Sequence, residues 1–245
     1  MLSPSVAYHG SCPPYLSSND RWKPQFVDEL VARLASRAPA PRGEAALVIG
    51  AGMLPYIFGL LSNVVQLHDV DLYRTVLETS RQRIEELPKN NGWKNYHGAM
   101  DGNLARARFA TMQDRDEYAA EASRASRSGL AGNYDTTRDR AGRAEVLFHE
   151  GNICDLAPQI GGIAVRSELE FGFVNVTNVV EYLEQPIVGD RIRFDHKAGI
   201  IAMYKALCNL NLAPDAVIID SYQYAPQLYT PAEYRRRAQL AGAVV

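Results

Sequence analysis

Cysteine is scarce in this chain, with Cys12, Cys154 and Cys208 the only three in 245 residues. They are far apart, odd in number and in no metal-ligand spacing, which argues against both a disulfide framework and a thiolate metal site. They read as reduced thiols of a cytoplasmic protein. An excess of one charge is lacking too. The 26 Lys and Arg against 28 Asp and Glu leave a net charge of −2, so bulk charge gives no footprint for nucleic acid. No apolar run approaches the ~18 residues of a membrane span. The opening "MLSPSVAYHGSCPPYLSSND" has no basic stretch followed by an apolar one, so no signal peptide is expected. Two phosphate-binding signatures are incomplete. In "LVIGAGMLPY" the third glycine of the dinucleotide fingerprint is replaced by Pro55. The Gly-Lys-Ser/Thr of a P-loop is also missing. Pyrophosphate and triphosphate ligands are thereby disfavoured.

What is present is apolar substance: 47% of residues are hydrophobic and 22% charged. A chain of this length can bury roughly 70–75% of its unfolded surface, and one domain over residues 1–245 is the simplest organisation. Residues 1–43 form an arm and a helix, the helix being "KPQFVDELVARLASR" with Phe26, Val27, Leu30, Val31 and Leu34 on one face. "AALVI" is a short buried strand that enters the glycine turn, and a helix follows near "MLPYIFGLLSN". "VVQLHDVD" is a second strand and "LYRTVLETSRQRIEEL" a long helix. Residues 88–143 carry many Ala, Ser and Gly and little apolar periodicity, and read as an insertion that is more mobile than the core. "AEVLFHEGN", "FGFVNVTNVVEYL" and "DAVIID" supply three more strands, with "DHKAGIIAMYKALCNLN" helical between the last two. "TPAEYRRRAQLAG" opens with a capping box from Thr230 to Glu233 and stops at Gly242. Alternating strand and helix predicts an α/β fold: a doubly wound, mostly parallel, Rossmann-like sheet with helices on both faces. Ligands of such sheets bind beyond the carboxyl ends of the strands.

The residues after each strand carry the functional signal. Gly50, Ala51 and Gly52 follow the first strand, where glycine lets a ligand approach the backbone and the next helix offers free N–H groups. A tight turn with no ligand is the plainer reading. Asp69 and Asp71 lie about twenty residues further on, at the end of the second strand, where an acid can accept both hydroxyls of a ribose. Strand alternation puts both on one face, and Asp71 also suits the cap of the next helix. Asn152 and Ile153 follow the third strand; an amide there can pair with an adenine edge. Asn175, Thr177, Asn178 and Glu181 gather polar groups at the exit of an apolar fourth strand.

Taken in order, "LVIGAG", "LHDVDLYRTVLETSRQRI", "FHEGNICDLA", "FVNVTNVVEYL" and "DAVIID" resemble the class I S-adenosylmethionine-dependent methyltransferase fold family. The resemblance implies S-adenosylmethionine as cofactor. It implies that the glycine turn holds the methionine part, Asp71 the ribose and Asn152 the adenine, with Asn175 and Asn178 toward substrate or chemistry. The sequence departs from that family at Val48, where an acid is usual, and at Leu54, where its third glycine would fall. No closing antiparallel strands are evident before the chain stops at "AGAVV". A narrower likeness, in "GAGMLP", "HDVD" and "LFHEGNICDL", is to the nicotianamine synthase group, which transfers the aminocarboxypropyl arm of the same donor.

The resemblance favours methyl transfer to a small-molecule acceptor. Such a transfer needs in-line positioning and, for a hydroxyl or amine, a base. His149, Glu181 and Tyr222 are the candidate bases, although a strand histidine is more often packed than catalytic. "DSYQYAPQLYTPAEY", just after the fifth strand, either overhangs the acceptor site or packs over the sheet end. The departures at Val48 and Leu54 also keep a non-catalytic binding module in view. Neither metal nor membrane is expected, and the oligomeric state is not legible.

Overall fold

The computed structural model describes residues 24–38, 40–49, 54–72, 74–92, 94–96, 99, 133–177, 196–222 and 225–243. The expected arm at 1–23 and most of the expected insertion lie outside these residues. So do Gly50, Ala51, Gly52, Asn178 and Glu181, and of Tyr222 only its place in a strand is described.

In chain order the elements are α1 (Pro24–Ala35), β1 (Glu44–Ile49), α2 (Leu54–Leu60), β2 (Val64–Asp71), α3 (Arg74–Glu86), α4 (Tyr134–Arg143), β3 (Glu145–Glu150), α5 (Ile153–Arg166), β4 (Phe171–Asn175), α6 (His196–Cys208), β5 (Leu212–Tyr222), β6 (Ala225–Tyr229) and α7 (Pro231–Leu240). The six strands form one sheet in the order β3-β2-β1-β4-β5-β6, parallel except for β6. The order reverses direction between β1 and β4, which is the switch point where such sheets bind ligands.

Each face of the sheet carries its own apolar cluster. On one face Ala46, Val48, Leu67, Phe173, Val217 and Ile219 meet Val27 and Leu30 of α1, Ile57 and Phe58 of α2, and Tyr134 and Ala141 of α4. On the other, Leu47, Val70, Val174 and Ile218 meet Ile153, Ala157 and Ile160 of α5, Met203 and Leu207 of α6, and Ala238 of α7. The central strands β1 and β4 are apolar on both faces because both are covered. Among the described residues no helix is long and apolar enough to cross a membrane.

Two features differ from the expectations. The stretch read as an insertion ends in packed structure: Tyr134, Thr137 and Ala141 of α4 are buried, and the Tyr134 hydroxyl donates to the Leu87 carbonyl at 2.8 Å. The alternation in "YDTTRDRAGR" is weak because a small Ala and a Thr do the packing. The sheet also closes with an antiparallel strand that the sequence hides. β6 pairs with β5 from Ile218↔Tyr229 to Tyr222↔Ala225. Pro226 masks it, since proline in a short run argues against a strand unless that strand is an edge, and among the described residues β6 is an edge. Part of the tyrosine-rich segment is therefore core rather than overhang. Tyr234 packs edge-on against Tyr204 and Tyr229, with centroids 5.2 and 5.8 Å away. Arg237 donates to the Tyr204 hydroxyl at 2.5 Å and also to that of Tyr229.

Candidate functional site

The strand register arranges the polar residues into rows. On the α2 face one row runs Val146, Leu67, Ala46 and is wholly apolar. Two residues nearer the carboxyl ends, the next row reads Phe148, Asp69, Val48, Asn175, Ile219. Asp69 and Asn175 thus flank Val48 on either side, roughly 10 Å apart at ordinary strand spacing. One step further, alternation puts Asp71 on this face. Thr177 joins it, because its hydroxyl donates to Asn175 Oδ1 at 2.8 Å. The face passes from apolar to polar within two rows, at the switch point.

Asp69 and Asn175 are both 0% exposed, and both keep unmet polar atoms. Asn175 Oδ1 accepts from the Thr177 N–H and hydroxyl, but Asn175 Nδ2 has no partner. Neither Asp69 oxygen has one. Burial pushes the Asp69 carboxyl up to about 8, the Ser80 hydroxyl pulls the other way, and the charge of Asp71 adds to the rise. Ser80 Oγ faces the carboxyl without completing a hydrogen bond. Buried polar groups without partners are uncommon, and here two of them, Asp69 and Asn175, share one row at the switch point.

The exits of β2 and β3 are tied together. Gly151 N–H donates to the Asp71 carbonyl at 2.9 Å, and Gly151 holds φ +146, a conformation that side chains strain, with a Cβ there meeting Leu156 Cδ1 at 3.1 Å. Asn152 then caps α5, its Oδ1 accepting from Cys154 N–H at 2.8 Å. Only the amide nitrogen of Asn152 remains to meet an adenine. Ile153 is 4% exposed and packs in the core cluster with Val70.

His149 stands on the opposite face, level with Val70. A partner not foreseen from the sequence is His68, stacked on it at 5.2 Å between centroids. The hydrogen-bond chain fixes both tautomers. Gln66 Nε2 donates to Glu145 at 2.9 Å, so Gln66 Oε1 accepts from His68 Nε2 at 3.0 Å. His68 Nδ1 then accepts from His149 Nε2 at 3.0 Å. Burial, then the neighbouring His149, pushes His68 down to about 4, and burial lowers His149 as well. Alternation in "QLHDV" places His68 opposite Asp69, but nothing local announces a cross-strand pair. The structure therefore gathers Asp69, Asp71, Asn175 and Thr177 on one face and sets His149 on the other. No cluster of three or more metal-ligating side chains occurs among the described residues.

The sequence matches no family model and no curated protein. Solved structures do resemble it. The rRNA methyltransferase aviRa from Streptomyces viridochromogenes is 14% identical over 93% of this chain and 91% of that chain, with a TM-score of 0.45. The methyltransferase NGO1261 from Neisseria gonorrhoeae, described as SAM-dependent, is 12% identical over 92% of this chain and 77% of that chain, with a TM-score of 0.43. The glycopeptide N-methyltransferase MtfA, complexed with S-adenosyl-L-methionine, is 14% identical over 89% of this chain and 59% of that chain, with a TM-score of 0.35. Identities this low transfer no activity.

Proposed function

We propose that the chain is an S-adenosylmethionine-dependent methyltransferase acting on a small-molecule acceptor in the cytoplasm. The observation that carries this reading is the polar row at the carboxyl ends of β2 and β4, in which Asp69 and Asn175 are buried with unmet polar atoms beside Asp71 and Thr177. The donor set fits the cofactor. Asp71, at the end of β2, would accept from the ribose hydroxyls. The amide nitrogen of Asn152 would meet the adenine ring, and Asn175 would offer a donor toward the amino acid arm or the acceptor. The missing third glycine and P-loop lysine weigh against dinucleotides and nucleoside triphosphates.

When bound, the cofactor supplies an activated methyl group. The chain's own part is to hold donor and acceptor in line and to exclude water. Calorimetric titration with S-adenosylmethionine, NAD and ATP tests the reading: binding of the first alone is expected, and binding of NAD or ATP in its place would overturn it. Mass spectrometry of the spent donor then tests the bond that breaks. S-adenosylhomocysteine is expected; methylthioadenosine would mean aminocarboxypropyl transfer.

A further inference from the structure

We propose that Asp69 acts as a charge selector, favouring a cationic sulfonium donor over its neutral thioether product. The inference rests on the S-adenosylmethionine reading and deepens it. Donor and product share the adenosine and the amino acid arm, so every hydrogen bond that one can make the other can make as well. They differ by a methyl group, which packing can sense, and by one positive charge, which a charge nearby can sense.

Asp69 is placed for that. Its strand is hydrogen-bonded to β1, and it lies level with Val48, two residues before Gly50. A ligand whose ribose met Asp71 and whose amino acid arm met Asn175 would bring its sulfur within about 10 Å of the carboxyl, because Asp69 lies one strand step below Asp71 and two strands from Asn175. Contact is not required, because charge acts through space and a buried site is poorly screened by salt. The row neighbours Val48 and Phe148 belong to the apolar cluster. Among the described residues, the groups around Asp69 come from β1, β2, β3 and α3. Asp71 comes from its own strand and Ser80 from α3. Arg81 of α3 sits over the Phe148 ring at 4.9 Å, and Arg83 is buried on the same helix. β1 and β3 contribute only Val48 and Phe148 in this row.

Burial keeps the Asp69 carboxyl protonated near neutral pH, with its pKa at about 8. A sulfonium nearby favours the ionised form, so the O–H bond of Asp69 breaks on donor binding and the proton passes to the buffer. The thioether provides no such drive, and Asp69 keeps its proton. Equivalently, donor affinity rises with pH while product affinity does not. At 10 Å and an effective dielectric constant near 20, the attraction corresponds to roughly a tenfold change in affinity.

The test is titration calorimetry of the full chain with S-adenosylmethionine and with S-adenosylhomocysteine from pH 6 to 9, in two buffers of different ionisation enthalpy. Expected are proton release on donor binding, an affinity that rises about tenfold across the range, and neither effect with the product. In D69N, an isostere of the neutral acid, both effects should vanish while the donor still binds. Proton release that persists in D69N, or is equal for both ligands in the parent chain, overturns the proposal, because the amino group that the ligands share would then be its source. Donor binding that is flat with pH overturns it too and leaves the cofactor reading standing. Failure of either ligand to bind removes both.

Discussion

Tyr134 and Tyr234 are both buried tyrosines, 5% and 0% exposed, yet their hydroxyls should matter differently. The Tyr134 hydroxyl donates to the Leu87 carbonyl, joining α4 to the end of α3. Tyr134→Phe removes that bond and leaves a carbonyl short of a partner, a loss of about 1 kcal/mol. The Tyr234 hydroxyl has no partner, so Tyr234→Phe removes a desolvated group and keeps the ring packing. Chemical denaturation should find this variant at least as stable as the parent. A loss of 1 kcal/mol or more would mean that the hydroxyl is satisfied after all. Asp71 is a residue of another kind, exposed enough to meet a ligand. Asp71→Ala should weaken S-adenosylmethionine binding by about 1.5–3 kcal/mol, the range for a hydrogen bond to a charged acceptor. Unchanged affinity in a folded variant would remove the ribose assignment.

At the scale of elements, α5 separates capping from binding. Asn152 caps the helix through Oδ1 and has only Nδ2 to spare. Asp caps as well as Asn but lacks the amide donor. Asn152→Asp should keep the melting temperature and weaken donor binding severalfold, whereas Asn152→Ala should also cost about 1 kcal/mol of stability. Equal donor affinity in the Asp variant would leave Asn152 as a cap alone. The same element shows what a sequence can reveal. The strands were legible because apolar runs ended at Gly50, Gly151 and polar clusters, and the capping box of α7 was legible because Thr230, Pro231 and Glu233 act locally. Asp69 and Asp71 share a face by alternation alone. What joins Asp69 to Asn175 is register across β1, and register is a property of the sheet rather than of either strand. The His68–His149 pair was hidden for the same reason. The buried Arg37–Glu44 pair, 2.6 Å between Nη2 and Oε2, was hidden because its partners flank a loop. Gly172 leaves room for that pair: a Cβ there would overlap the Glu44 carboxylate.

For the molecule as a whole, two buried groups set opposing trends in stability with pH. His68 is held down at about 4 against an unfolded value near 6.5. The unfolded chain therefore binds the extra proton between these limits, and stability rises as pH climbs from 4 to 6.5. His149, also lowered by burial, acts in the same sense. Asp69 is raised to about 8 from 3.8, so the native state holds the proton. Its contribution is complete below pH 3.8 and is lost as pH rises through 8. Between pH 4 and 6.5 the slope of Asp69 opposes those of the two histidines and offsets part of their rise. Between pH 6.5 and 8 Asp69 acts alone, and its loss over that interval is about 2 kcal/mol. Urea denaturation of the ligand-free chain should therefore show stability declining from pH 6.5 to 8. In D69N that decline should disappear, and the histidine-driven rise between pH 4 and 6.5, blunted in the parent, should steepen. The ligand-free decline follows from burial alone and does not depend on any cofactor. If D69N declined with the same slope as the parent between pH 6.5 and 8, Asp69 would not be protonated in the native state, and the charge selection argued from it would fall with it.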